Sequence, residues 1–178
     1  MKEKLAILME KIHENGGKVA VALCLCGLTA CSSVDCALEK KVECRVQMMD
    51  KEGNPVTVDG YLTVSITDAT EETVKDTLLN KLENASAFAF PLSYAGDVDK
   101  LNFIFSDKED VRSVTDVISI TKSNEPVFEG VDCTPRYNHT ISGVTCTKNV
   151  IDSVVVNNKK VDNDTRKVHL HVYMRTAD

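Results

Sequence analysis

The chain has 178 residues, with 27 acidic against 21 basic side chains and a formal net charge of −6. That balance argues against nucleic acid or anionic lipid as an electrostatic partner. Trp is absent and aromatics make up 5% of the chain, so a broad stacking platform for bases or sugars is poorly supported.

The first feature in chain order is an apolar run over 19–28 that follows a lysine-bearing segment and ends at Leu28-Thr29-Ala30-Cys31. The run is too short to span a bilayer, which needs roughly 20 apolar residues. It fits the apolar region of an export signal, about 7–15 residues long. Leu, two small residues and Cys is what bacterial lipoprotein processing cuts. The Cys31 thiol is then expected to receive a diacylglycerol and to become the new N-terminus. Residues 1–30 therefore read as a lipoprotein signal peptide and 31–37 as a lipidated tether. Residues 38–178 read as one domain. Both Met1 and Met9 fit as the start of translation, since the segment ahead of the apolar run is long and mixed in charge. A fully acylated Cys exceeds the single chain that binds membranes only marginally. The expected address is the outer membrane by lipid anchor, on its periplasmic or its cell-surface side.

Removing the leader leaves 17 basic residues (21 less four) and 24 acidic ones (27 less three). Of seven Cys, Cys24 and Cys26 depart with the leader and Cys31 is lipidated. Cys36, Cys44, Cys133 and Cys146 remain, and an even number in an oxidising compartment reads as two disulfides. Val34-Asp35-Cys36 and Val131-Asp132-Cys133 share a tripeptide, which favours Cys36–Cys133. That bridge would close a loop of about 100 residues, worth on the order of 4–5 kcal/mol. Cys44–Cys146 follows by elimination.

Beyond the tether, period-two patterning dominates. Val42, Cys44, Val46 and Met48 alternate with polar residues, and a turn over Asp50 to Pro55 follows. Leu62, Val64 and Ile66 alternate next. Residues 71–84 mix helical and extended signals and are read as a strand near 74–79 followed by a turn. Phe88 and Phe90, then Leu101, Phe103 and Phe105, then Ile118 and Ile120 mark three more strands. The last of these is expected to close before a turn at Asn124-Glu125-Pro126. Tyr137, His139 and Ile141 form another strand, Ile151–Val156 a Val-rich one, and Val168, Leu170, Val172 and Met174 the last. About 8–9 strands with regular turns predict an all-β, antiparallel β-sandwich of immunoglobulin-like kind.

Few residues point to chemistry. His169 and His171 alternate onto one strand face beside Tyr173, and His139 is the third residue such a metal site would need. A solvated strand face is the plainer reading, and no metal or cofactor is expected. Asp97/Asp99 and Asp162/Asp164 read as turn acids, because calcium takes about 6–8 oxygens. Asp152-Ser153 lacks the nucleophile elbow that a hydrolase triad would carry. Thr77 and Ser153 sit in Asp–Ser/Thr–apolar tripeptides, candidate O-glycosylation sites.

Several stretches carry a resemblance: Cys31 to Cys36, Ser86 to Tyr94, Phe128 to Cys133, His139 to Gly143, Ile151 to Asn158 and Val168 to Tyr173. Together they are similar to an uncharacterised family of small Bacteroidota lipoproteins, known as a domain of unknown function. The resemblance implies export and lipidation in a Gram-negative host, and names no activity. The expected role is a non-enzymatic accessory or binding module, docked on an outer-membrane β-barrel or envelope-assembly partner. A glycan or small-ligand binder using Tyr61, Tyr94, Tyr137 or Tyr173 is the alternative. A metal-dependent enzyme built on His139, His169 and His171 comes third.

Overall fold

A computed structural model describes residues 41–67, 74–109, 111–130 and 133–175. The signal peptide, Cys31, the tether and Cys36 lie outside the described residues. All the described ones fall in the compact unit Ala37–Asp178.

The described chain is all-β. Its ten strands are β1 (Cys44–Met49), β2 (Tyr61–Thr67), β3 (Val74–Glu83), β4 (Ala87–Phe90), β5 (Val98–Ser106), β6 (Ser113–Val127), β7 (Arg136–Cys146), β8 (Ile151–Val156), β9 (Lys160–Val161) and β10 (Leu170–Met174). They form a four-stranded sheet in the order β4-β1-β10-β8 and a six-stranded sheet in the order β3-β2-β5-β6-β7-β9. Every pairing is antiparallel except that of β1 with β10. Nine strands coincide with the alternating segments. The tenth, β9, is two residues long and too short to leave a pattern.

Alternation places the core between the sheets. Cys44, Val46, Met48, Phe90, Leu170 and Val172 come from one sheet. Leu62, Val64, Leu101, Phe103, Ile118, Ile120 and Ile141 come from the other, and all are buried in one cluster with the first set. Phe103 of β5 meets Phe88 and Phe90 of β4 with ring centroids 6.1 and 6.2 Å away. Each such side chain stabilises the fold by about 1.5–3 kcal/mol on full burial. The two-layer arrangement is consistent with a β-sandwich.

Two boundaries differ from expectation. β3 continues past residue 79 to Glu83, paired along β2 through shifts in register. Lys81 (φ 48°) and Asn84 (φ 51°) take left-handed backbone there, so the turn falls at the strand's far end. β6 does not stop before Asn124 but runs through Pro126 to Val127. Its pairing with β5 ends at Val98 opposite Thr121. Beyond that point only β7 lies alongside, and proline's missing N–H is tolerated on a strand with one open side.

The expected Cys44–Cys146 disulfide is not present: both are free thiols. Cys44 is at the core end of β1 opposite Phe90. Cys146 ends β7 opposite Ile118 in the other sheet. Elimination among four cysteines carried no geometric information, and the fold puts the two on different sheets.

Candidate functional site

Polar residues in the inward phase of the core strands are the first unusual feature. Leu101, Phe103 and Phe105 point inward, and Asp99 continues their phase. Ile118 and Ile120 do likewise, and Lys122 continues theirs. Asp99 and Lys122 are 2% and 3% exposed. The Lys122 ammonium donates to the carbonyls of Ser93 (2.5 Å) and Gly96 (2.7 Å) and to Asn124 Oδ1 (3.1 Å). It also lies 3.6 Å from Asp99 Oδ1. Asp99 Oδ2 accepts from the Ser93 N–H at 3.0 Å. Two of its hydrogen bonds thus hold the 91–97 loop against the sheet, and the third fixes Asn124 of β6. Burial raises the Asp99 carboxyl, opposed by the Ser93 N–H and Lys122, and its pKa stays above the ordinary value. Asp99 was read from sequence as a turn acid; it is a buried strand residue instead.

His139 of β7 joins this cluster. Its Nδ1 is 2.8 Å from Asn124 Oδ1. Burial, with the nearby Lys122 charge, pushes its pKa down to about 4. His169 is buried just ahead of β10, where its Nδ1 accepts the Arg45 N–H at 2.8 Å. Burial also lowers its pKa, helped by Arg45 and Lys167 and opposed by Asp162. His171 is half-buried on the opposite face of β10, across from Gln47 and Val155. The three imidazoles therefore do not converge, and no group of three metal-ligating side chains exists among the described residues. The expected shared face for His169 and His171 fails because His169 precedes the strand and turns its ring onto the β1 backbone.

A second buried carboxylate, Asp116 of β6, holds the β7–β8 turn. Its oxygens accept from Thr147 Oγ1 (2.6 Å) and from the N–H groups of Asn149 (2.8 Å), Val150 (2.7 Å) and Ile151 (2.8 Å). Burial works to raise its pKa, but these bonds outweigh it and hold the carboxyl below its ordinary value. Asp162 and Asp164 are turn acids, paired with Lys167 (2.9 Å) and Arg166 (3.0 Å).

The groups left open to solvent lie on the outer faces. A groove of about 570 Å³ lies along β8 and β10 of the four-stranded sheet, bounded by Asp152, Ser153, Val155, Tyr173, Arg175 and Lys51 among others. Ser153 lies opposite Tyr173 there. Thr77 is exposed on the edge strand β3. Of the four tyrosines, Tyr94 and Tyr137 stack, with centroids 5.0 Å apart and planes 15° apart. Tyr94 is 67% exposed, so its outer ring face is open. Its loop is fixed from below, where Asn124 Nδ2 donates to the carbonyls of Tyr94 (3.3 Å) and Gly96 (2.9 Å). Sequence reasoning singled out Tyr94 and Tyr137 separately. Nothing in the spacing joins them, because the contact depends on the Lys122–Asn124 clamp.

Two sheets with braced buried polar groups between them define a small all-β domain. Residues 62–174 match the family of unknown function DUF6452, and the chain belongs to that family. No curated protein and no solved structure matches the chain.

Proposed function

We propose that the chain is a lipid-tethered, non-enzymatic binding module of the bacterial outer membrane, acting with an outer-membrane or envelope-assembly partner. One structural observation carries the binding part of this reading. The buried ionisable groups Asp99, Lys122, Asp116, His139 and His169 are engaged in holding loops and strands. The chemistry left for other molecules is that of the outer faces. The tether rests on the order of charged segment, apolar run, small residues and Cys31. Bacteroidota origin, an immunoglobulin-like form of the two-sheet fold and a Cys36–Cys133 bridge belong to the same proposal. Cys133, unlike Cys44 and Cys146, is not a free thiol, which supports the bridge. Thr77 and Ser153 as O-glycosylation sites are also part of the proposal, and an intact mass of the native protein tests them.

The experiment has two parts. Cys31→Ser, or globomycin treatment, should change the chain's size and release it from the outer-membrane fraction; unchanged size and fractionation sink the tether. Crosslinking in intact cells, followed by pull-down, should recover an envelope protein dependent on residues of the outer faces. Recovery of none counts against the docking role.

The Tyr94–Tyr137 stack favours a second reading, a glycan binder, because a backed and exposed ring offers a flat apolar face at little entropic cost. Loss of glycan binding in Tyr94→Ala would support it.

A further inference from the structure

We propose that the outward face of the six-stranded sheet carries a shallow site for a single acidic sugar residue. The inference rests on the reading of the domain as a binding module and names a ligand class and a place for it. A depression of about 410 Å³ lies on that face, lined by Thr67, Lys100, Asn102, Val117, Ser119 and Thr147. Five of these come from three adjacent paired strands. Thr67 of β2 is opposite Lys100 of β5, which is opposite Ser119 of β6. In the next row Asn102 is opposite Val117. Thr147 is fixed beside them, its Oγ1 accepting the Val117 N–H at 2.8 Å. Side chains on paired strands are held more accurately than side chains on loops, so the site is pre-organised.

The donor set defines the ligand. Lys100 is half-buried and has no ion-pair partner among the described residues. A lysine ammonium in a depression with no carboxylate paired to it among the described residues is open to an incoming anion. Asn102 Nδ2 donates to Thr67 Oγ1 at 2.7 Å, which leaves its Oδ1 free to accept. Ser65, opposite Asn102 in the same row, is 2% exposed with an Oγ lacking any partner, so the row holds more polar capacity than the protein uses. Ser119 adds a hydroxyl, and Val117 adds an aliphatic surface for the C–H face of a ring. One point charge surrounded by hydroxyl and amide groups suits one carboxylate on a hydroxylated ring. It suits a phosphate less well, because phosphate sites converge several N–H donors or a guanidinium fork. The net charge of −6 disfavours a polyanion, so the acidic residue would sit within an otherwise neutral glycan.

The test is a titration of the isotope-labelled full chain in detergent micelles with glucuronic acid, glucose and inorganic phosphate, read by amide chemical shifts. Glucuronic acid should shift the amides of Thr67, Lys100, Asn102 and Ser119 saturably, and glucose should bind roughly tenfold more weakly, about 1.4 kcal/mol. Lys100→Gln should erase that difference and Lys100→Arg should keep most of it, with thermal unfolding confirming that both variants fold. Equal binding of glucose and glucuronic acid, equal competition by phosphate, or the absence of shifts on this face overturns the proposal. Shifts at Tyr94 and Tyr137 instead would overturn this site while leaving the binding-module reading intact.

Discussion

His169 and Arg45 exchange two hydrogen bonds of unlike kind. The His169 N–H donates to the Arg45 carbonyl, and the Arg45 N–H donates to His169 Nδ1, both at 2.8 Å. The imidazole stands where a backbone carbonyl would stand in a parallel ladder. The Val168 carbonyl is engaged elsewhere, accepting from Asn157 Nδ2 (3.0 Å) and Asn158 Nδ2 (2.6 Å). Because Nδ1 accepts, the ring proton is on Nε2, which has no partner. His139 is the reverse case: Asn124 Oδ1 faces its Nδ1, so that nitrogen carries the proton.

Both buried rings must stay neutral, and this sets a pH dependence. Their folded pKa values lie below the unfolded value of 6.5, His139 at about 4. Between those values the unfolded chain binds more protons, so stability rises with pH. It should be complete above pH 6.5 and fall as pH drops from 6.5 towards 4. His139 alone accounts for roughly 3 kcal/mol of that fall. Asp99 works in the opposite direction, its raised carboxyl taking up a proton more readily when folded. Urea unfolding at pH 7 and pH 5 measures the slope, and His139→Gln should flatten it. Because Asp99 opposes the histidines, the slope is read as a difference between parent and variant, and an identical slope in His139→Gln would contradict the His139 assignment.

Lys122→Met removes three hydrogen bonds and leaves Asp99 buried without its counter-charge. The expected loss is about 3–5 kcal/mol. Adding Asp99→Asn to Lys122→Met should recover part of it, because the uncompensated carboxylate is then gone. Denaturant unfolding of the two single variants and the double variant closes the cycle. Simple additivity would show that the 3.6 Å approach of Lys122 to Asp99 couples nothing.

The alternation of Val46 and Met48, or of Leu101 and Phe103, made nearly every strand legible, because a half-buried strand must repeat every two residues. Asp99, Asp116 and Lys122 continue the inward phase of those strands, but a polar residue at the end of an apolar alternation reads equally well as the start of a turn, which is how the sequence presents Asp99. Their partners were not legible. Ser93, Gly96 and Asn149 reach them only once the loops close, and no local pattern encodes that closure. Pro126 misled because its meaning depends on where β5 ends, which is a property of another strand. Cys44 and Cys146 misled because counting thiols says nothing of which sheet each occupies. The depression around Lys100 and Asn102 left no motif at all, since its six residues come from four separated segments.

Gly60→Ala should be among the most damaging single changes in the domain. Gly60 has φ +95°, and a Cβ there would sit 2.2 Å from the Ser106 carbonyl oxygen. That oxygen belongs to the backbone at the end of β5 and cannot swing aside. Backbone strain of this kind costs on the order of 1–3 kcal/mol before the clash is added. Gly53→Ala is the matched control, with φ +84° but open space around it. It should cost only about 1 kcal/mol. Thermal unfolding of the two variants reads the difference, and equal melting temperatures would remove the clash argument.

Asp116→Ala leaves the Thr147 hydroxyl and three N–H groups without their acceptor. Buried donors left unpaired cost about 1–3 kcal/mol each, and partial re-solvation of the turn caps the total near 3 kcal/mol. The loss should be local. Hydrogen exchange at Asn149, Val150 and Ile151 should accelerate far more than exchange at Val46 or Leu170. Asp116→Asn keeps one accepting oxygen and should fall between the variant and the parent. Uniform acceleration across both sheets would mean that the carboxylate supports the whole sandwich rather than the turn.

Cys44 and Cys146 should differ sharply in reactivity. Burial, with a smaller contribution from Asp99, pushes the Cys44 thiol up to about 12. Cys146 is also raised by burial but is partly open. The thiolate is the reactive form, so Cys146 should label slowly in the native protein and Cys44 only on unfolding. Mass spectrometry after timed alkylation, with and without denaturant, separates the two. A non-reducing peptide map should contain no peptide pair joining them. Finding that pair would overturn the free-thiol state of both residues.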